Sequence, residues 1–479
     1  MKKMTTTVIS ASPALRAAFV LPCLLLAACA IGPDYVRPTL DTPAVFKEAG
    51  DWKPASPQDP VAGDKWWTVF GDPLLDQLQE KVDISNQNLR IAEAQYRQAR
   101  ALSDSARASW FPTINGSFGA TRSATSASTD AAGSAPPRNS FNLGATASWE
   151  ADVWGRIGRN VEAADARVEA SQADLAAARL SAHATLAQSY FQLRAADRQK
   201  ALLDAAVAAY QRSLSLTQNR YAAGVASKAD VAQAESQLRS ARASALDASL
   251  SRSQYEHAIA VLIGQTPASF ALAPVAGALP VAPVPVTLPS TLLERRPDIA
   301  AAERRVAAAN AAIGAAQAAR FPVLGLSASG GFRRADLAEL ITLPSRYWSL
   351  GPTLAATIFD AGAKKAAVGQ AAASWEQAVA TYRQTVLVAF QEVEDNLAAA
   401  RLLDEAGVEQ AAAVTAAADA ESIALNQYRA GTVSFLNVVT AQATHLSAQR
   451  SANDLAARRL VAAVLLAKNA GGGVKAGSN

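Results

Sequence analysis

Four stretches of this chain run without glycine or proline for longer than an ordinary globular helix: Arg159 to Ala223, Val225 to Ile263, Gln370 to Ala406 and Thr432 to Ala470. At 1.5 Å per residue the first would extend roughly 100 Å, and the second and fourth roughly 60 Å. Small or apolar residues recur in them at three-four spacing, as in Val231, Ala234, Leu238, Ala241 and Ala245, or Ala371, Trp375, Ala378 and Tyr382. That is the seam of a coiled coil, and alanine in it lets helices approach closely. Charged residues make up only 18% of the chain while half of it is apolar, which suits long helices packed on more than one side.

The chain is also internally duplicated. Asn88 to Pro112 lies without gaps on Asp298 to Pro322, matching Ala92/Ala302, Glu93/Glu303 and Phe111-Pro112/Phe321-Pro322. Leu143-Gly144 falls on Leu350-Gly351, Tyr221-Ala222-Ala223-Gly224 on Tyr428-Arg429-Ala430-Gly431, and Ser227 on Ser434. Two copies of one unit therefore follow each other, at 73–265 and 291–470. Between them, 266–290 carries Pro267, Pro274, Pro280, Pro283, Pro285 and Pro289 and reads as an extended connector. A flexible tail is expected at 471–479.

At the N-terminus, Lys2, Lys3 and Arg16 precede an apolar stretch from Ala17 to Ala28, the pattern of a secretory signal over 1–28. Leu26-Ala27-Ala28-Cys29 resembles a bacterial lipobox, which implies cleavage before Cys29, a covalent lipid on its thiol and an anchored extended segment over 29–72. Ala30, in place of aspartate, favours the outer membrane. Removing 1–28 takes away three positive charges, so the net charge falls from +4 to +1 and gives no support to nucleic-acid binding. Two cysteines exclude a disulfide scaffold. No run approaches the roughly 20 apolar residues of a membrane helix, which excludes a helical transporter.

After each Phe-Pro the apolar period changes to two. Ile114, Phe118 and Ala120 alternate with Asn115, Ser117 and Gly119, and Phe141, Leu143, Ala145, Ala147 and Trp149 with Asn142, Gly144, Thr146 and Ser148. The second copy repeats this over Leu324 to Phe332 and Trp348 to Ile358. Four strands of about ten residues, apolar on one face and small and neutral on the other, fit tilted membrane strands around a wet lumen. One chain cannot close a barrel, so oligomers must: two chains give eight strands, a size whose interior side chains fill, and three give twelve, the first multiple with a usable lumen. The Ser/Thr/Ala-rich stretch 120–139 and the segment 333–346 are then exposed hairpin loops.

Trp66-Trp67, Phe70-Gly71-Asp72-Pro73-Leu74, the run Leu293-Glu294-Arg295-Arg296-Pro297-Asp298 continuing to Arg305, and the two Tyr-x-x-Gly-x-x-Ser turns resemble TolC-like outer-membrane efflux lipoproteins. The resemblance covers 29–470. It implies an α+β membrane protein: a homotrimer with a twelve-stranded outer-membrane barrel continuous with a periplasmic α-helical barrel. It implies as partners a periplasmic adaptor and an inner-membrane resistance-nodulation-division pump, and a passive conduit in place of an enzyme. An outer-membrane duct for protein secretion and a structural coiled-coil lipoprotein are the alternatives.

The resemblance further implies a closed periplasmic end around Gly224 and Gly431, with Ser227 and Ser434 in the adaptor-facing turns. Tyr428 and Asp230 occupy the positions of a tyrosine–aspartate hydrogen bond that holds that end shut. Asn437 and Thr440 stand where the family's best-known member has two aspartates, and Val433 where it has an arginine, so polar bonds and packing replace a charged ring. His183, His257 and His445 each stand alone in helical stretches, without metal-ligand spacing, and read as structural or solvated. Asp72-Pro73 reads as an N-cap followed by proline at the first helical position. No cofactor is expected.

Overall fold

The computed structural model describes residues 31–39, 46–49, 65–124, 137–275, 277–279 and 296–472. The signal, Cys29, Ala30, most of the proline-rich connector, Leu293-Glu294-Arg295, the middle of the first hairpin loop and the tail beyond Gly472 lie outside the described residues. In chain order the elements are α1 (Pro73–Ser85), α2 (Gln87–Ala108), β1 (Thr113–Ser123), β2 (Arg138–Ala151), α3 (Arg156–Ala222), α4 (Lys228–Leu262), α5 (Pro297–Ala318), β3 (Val323–Arg334), β4 (Arg346–Ala355), α6 (Ala363–Ala430) and α7 (Phe435–Asn469).

The helix-pair-plus-hairpin plan is repeated, as the duplication requires. The expected helices form, and α6 runs on through Gly369 and Gly407. An isolated glycine costs about 1 kcal/mol against alanine, which the rest of a 68-residue helix easily carries. The chain packs into two units, each drawn from both repeats: within the described residues, one takes 31–39, Tyr96–Ser171 and Ala302–Tyr382, and the other takes the remainder.

In the first unit the strands form one antiparallel sheet in the order β1-β2-β3-β4. Its register aligns the apolar residues across strands. Phe118 lies opposite Leu143, Leu143 opposite Phe332, Trp149 opposite Leu326, and Ala328 opposite Leu350. The other face aligns Asn115, Thr146, Ser329 and Ser349. On the apolar face Ile114, Phe118, Trp348, Leu350 and Leu354 are 61–74% exposed in the single chain. β4 ends at Ala355, three residues short of the expected Ile358, because Ala355 pairs with Val323, the first residue after Pro322. Proline has no N–H to continue the ladder.

The same unit holds a short N-terminal strap. Ile31 N–H donates to the Trp154 carbonyl, Arg159 donates to the carbonyls of Ile31 and Gly32, and Asn310 donates to the Pro33 carbonyl at 2.9 Å. The Tyr35 hydroxyl donates to Glu303, whose carboxylate also accepts from Arg304 at 2.5 and 2.6 Å. Burial alone would raise the Glu303 pKa; these donors hold it below its ordinary value. Gly32 sits at φ +118°, and a Cβ there would come within 2.4 Å of the Gly314 Cα. Two glycines at this crossing let backbone touch backbone.

The second unit has its main core where Trp66, Trp67, Leu75, Leu78 and Val82 meet Leu186, Tyr190 and Phe191 of α3, Ile259 of α4 and Leu460 and Val464 of α7. Asp72 caps α1 by accepting from the N–H groups of Leu74 and Leu75 at 3.0 and 3.3 Å, with Pro73 in the first turn, as the sequence led us to expect. Its second oxygen accepts from the Tyr190 hydroxyl at 2.5 Å. Trp67 stacks on the buried His183 ring at 4.3 Å, and Gln79 bonds both the His183 ring and its carbonyl. The tryptophan pair and His183 are thus packing groups.

Candidate functional site: the paired helical turns

A second core of the same unit gathers one end of each of the four long helices. It contains Tyr210 and Leu214 of α3, Ala234, Leu238 and Ala241 of α4, Tyr428 of α6, and Phe435, Val438 and Val439 of α7. This is the predicted three-four seam of α4, now facing its partners. Two turns cap the bundle here, α3–α4 at Gly224 and α6–α7 at Gly431.

Both turns close in the same way. Gly224 and Gly431 adopt φ of +74° and +79°, the left-handed region that an L side chain rarely enters. Val225 N–H reaches back to the Arg220 carbonyl at 2.8 Å and Thr432 N–H to the Gln427 carbonyl at 3.0 Å, the six-to-one bond of a glycine-terminated helix. A serine follows at each N-cap. Ser227 accepts from Asp230 N–H through its hydroxyl at 3.1 Å, while the Asp230 carboxylate accepts from the Ser227 N–H and hydroxyl, both at 2.9 Å. This is a complete capping box. Ser434 makes no side-chain cap bond, and Asn437 stands where the first turn has Asp230.

The expected hydrogen bond between Tyr428 and Asp230 is not made within this chain. Asp230 is held by Ser227, and the Tyr428 hydroxyl donates to Thr217 Oγ1 of α3 at 3.5 Å. Tyr428 is 4% exposed, its ring tilted against Phe435 at 5.3 Å. Arg220, the last-turn arginine of α3, lies over the same ring with its guanidinium 4.8 Å from the centroid. The same guanidinium donates to the carbonyls of Tyr428 and Arg429 at 3.2 and 3.3 Å. One α3 side chain therefore stacks on α6 and caps its C-terminal carbonyls, a favourable place for a cation. Arg220 and Thr217 were missed in the sequence. The signal for Arg220 was a basic residue in a last helical turn.

Val433 is half-buried against this core, whereas Leu436, Asn437 and Thr440 are exposed. The Thr440 hydroxyl turns back to the Leu436 carbonyl at 2.9 Å. On the same helix the His445 Nδ1 donates to the Glu421 carboxylate of α6 at 2.5 Å, a cross-helix tie.

Arg296 and Asp298 of the Arg-Arg-Pro-Asp run act elsewhere, fixing the start of α5. Arg296, 5% exposed, grips Asp298 through two bonds of 3.1 and 2.7 Å and reaches Glu392 of α6 at 2.8 Å. Burial would push the Asp298 carboxyl up, but the Arg296 guanidinium holds it below the usual carboxylate range.

The family described as outer membrane efflux protein matches residues 78–265 and 288–472. The chain belongs to that family. The pyoverdine export outer membrane protein OpmQ of Pseudomonas aeruginosa is 34% identical over 471 residues, covering 94% of this chain and 95% of the relative. The toluene efflux pump outer membrane protein TtgC of Pseudomonas putida is 32% identical over 460 residues, covering 94% and 93%. The structure of the outer-membrane channel OprN superposes with a TM-score of 0.86 at 32% identity, covering 93% of this chain and 99% of that one. The protein is accordingly an outer-membrane channel component of an efflux system, of the trimeric fold class in which each chain contributes four strands to a barrel and long helices to a periplasmic tunnel. The open edges of β1 and β4 agree, since unpaired backbone cannot face lipid.

Proposed function

We propose that the protein is a passive duct, without catalysis of its own, that receives small toxic compounds from an inner-membrane resistance-nodulation-division pump through a periplasmic adaptor docking on the turns around Gly224, Ser227, Gly431 and Ser434. The observation that carries this reading is the pairing of an aligned apolar sheet face in one unit with glycine-closed helix tips in the other. Curated relatives are named for the export of cargoes as unlike as pyoverdine and toluene. A duct that reads little chemistry fits that spread, with selection left to the pump.

The closed end is then held by the Tyr428–Phe435 packing and by Arg220, with Val433, Asn437 and Thr440 contributing no fixed charge. Cys29 carries the lipid that anchors the strap, and mass spectrometry of the mature N-terminus reads this directly as an acylated cysteine. The duct is tested in planar bilayers and in a strain deleted for its channel. Purified trimer is expected to conduct, and the gene to restore drug resistance only when the pump and adaptor are present. Resistance restored without a pump, or a trimer that forms no pore, overturns the reading.

A further inference from the structure

The apolar sheet face ends in a cluster of arginines at its loop edge. Helices α2, α3, α5 and α6 join the sheet at the edge opposite its two hairpin loops, so with the helices periplasmic the loops lie outside the cell. This step rests on the outer-membrane assignment. Between the edges, the strand stretches Thr113–Thr121, Asn139–Trp149, Val323–Phe332 and Tyr347–Ala355 contain no Asp, Glu, Lys or Arg. At the loop edge stand Arg122, Arg138, Arg333, Arg334 and Arg346. The register sorts them. Arg122, Arg334 and Arg346 share parity with Phe118, Phe332 and Leu350 and so belong to the apolar, lipid-facing side. Arg138 and Arg333 belong to the other side, where Arg333 covers the Tyr347 ring at 5.2 Å.

The three outer arginines lie at one depth. Referred to β2, Arg122 is level with Asn139, Arg334 with Phe141, and Arg346, through Phe332, with Leu143. Four residues of offset across three strand spacings is about 13 Å over about 14 Å, a slope of roughly 40°, which is the tilt of membrane strands. The opposite edge shifts the same way: β1 starts level with Ser148, whereas β3 starts beyond Ala151. Tilting the strands to level the apolar belt therefore levels the arginines too. Trp348, two residues inside Arg346 and 74% exposed, stands opposite Gly330 and adds an interfacial ring below the row. Arg334 pairs with Glu339, while Arg122 and Arg346 are exposed and have no acidic partner among the described residues.

We propose that Arg122, Arg334 and Arg346 form a phosphate-binding row for the phosphorylated glycolipid of the outer leaflet, repeated in each protomer around the barrel. A guanidinium offers phosphate two parallel donors, and the apolar face directly beneath takes the acyl chains. The occupant is thus a lipid carrying phosphate, in preference to a free anion.

The test is native mass spectrometry of the full-length trimer titrated with bisphosphorylated lipid A, with the same lipid dephosphorylated, and with inorganic phosphate. Arg122→Ser/Arg334→Ser/Arg346→Ser is expected to lower lipid A adducts about tenfold at equal lipid. Arg138→Ser/Arg333→Ser, equal in charge per residue but on the other face, is expected to keep them. Retention by the triple variant, equal loss in the control pair, or equal binding of the dephosphorylated lipid or of phosphate alone overturns the proposal. Should the triple variant not assemble, Arg346→Ser alone is expected to lower adducts about threefold, and an unchanged level has the same force. Orientation is read separately: Ala338→Cys in intact cells is expected to react with a membrane-impermeant maleimide, and no labelling refutes the outward placement without touching the lipid measurement.

Discussion

The two helical tips descend from one duplicated sequence, yet they close by different means. The α3–α4 turn is complete in itself: Gly224 ends one helix, and Ser227 with Asp230 starts the next in a reciprocal cap. The α6–α7 turn has the glycine and the serine but no side-chain N-cap; beyond the Thr432 hydroxyl on the Gln427 carbonyl it leans on packing and on α3. Phe435, 1% exposed, fills the core where the first turn has exposed Lys228, and Arg220 arrives from α3 to hold the carbonyls of α6. A duplicated motif has thus divided into a rigid half and a dependent half. If the tunnel opens by moving one hairpin, the α6–α7 hairpin is the one whose restraints can be removed without unmaking its own turn.

The largest effect expected on this asymmetry is from Phe435→Ala, which removes a fully buried ring at a cost of about 3–4 kcal/mol. Hydrogen exchange should speed up through the α6–α7 turn while the α3–α4 turn stays protected; uniform loss over both would mean that the tips are one cooperative unit. Arg220→Gln comes next, at about 2 kcal/mol for a cation stacked on an aromatic ring and bonded to two carbonyls. It is expected to raise single-channel conductance and sensitivity to large antibiotics without lowering trimer yield. Unchanged conductance in an assembled trimer would take Arg220 out of the closed state.

A smaller and sharper contrast lies in the serines. Ser227→Ala is expected to destabilise by about 1 kcal/mol, the worth of an N-cap, and Ser434→Ala by no more than a few tenths, seen as local exchange rates in α4 and α7. Equal losses would erase the distinction between the turns. The one expected gain is smaller than the Ser227 loss: Asn437→Asp should complete a capping box with Ser434 and stabilise the second tip by about 0.5 kcal/mol. The same variant should increase cation preference, since the exposed position then carries a charge in each protomer.

Most of the architecture was legible because it follows from local rules. Glycine- and proline-free runs became α3, α4, α6 and α7, and the period-two stretches became paired strands whose register then aligned the apolar residues. Boundaries failed where a partner decided them, as at Ala355, where the facing strand begins at a proline. The paired turns were legible in place but not in wiring. They were found from Gly224, Ser227, Gly431 and Ser434, whereas the Tyr428–Asp230 bond was carried over from resemblance, and within one chain the two side chains have other partners, Thr217 and Ser227. The Asp230 outcome could have been read, because Ser-x-x-Asp after a glycine turn is a capping signal. The Arg220 contact could not, because it joins a side chain to backbone carbonyls 208 and 209 residues away.

The crossing of Gly32 over Gly314 carries a consequence for the order of events in assembly. Pro33 and Tyr35 find their partners 277 and 268 residues further on, at Asn310 and Glu303. A chain exported from its N-terminus presents the strap first and supplies its seat only after α5 has followed. Closing so long a loop is slow compared with forming the helices on either side. Until then the strap has only its contacts to Trp154 and Arg159 of the first repeat, so the seat closes in succession: first a partial hold made within the first repeat, then a lock that engages when the second repeat is in place.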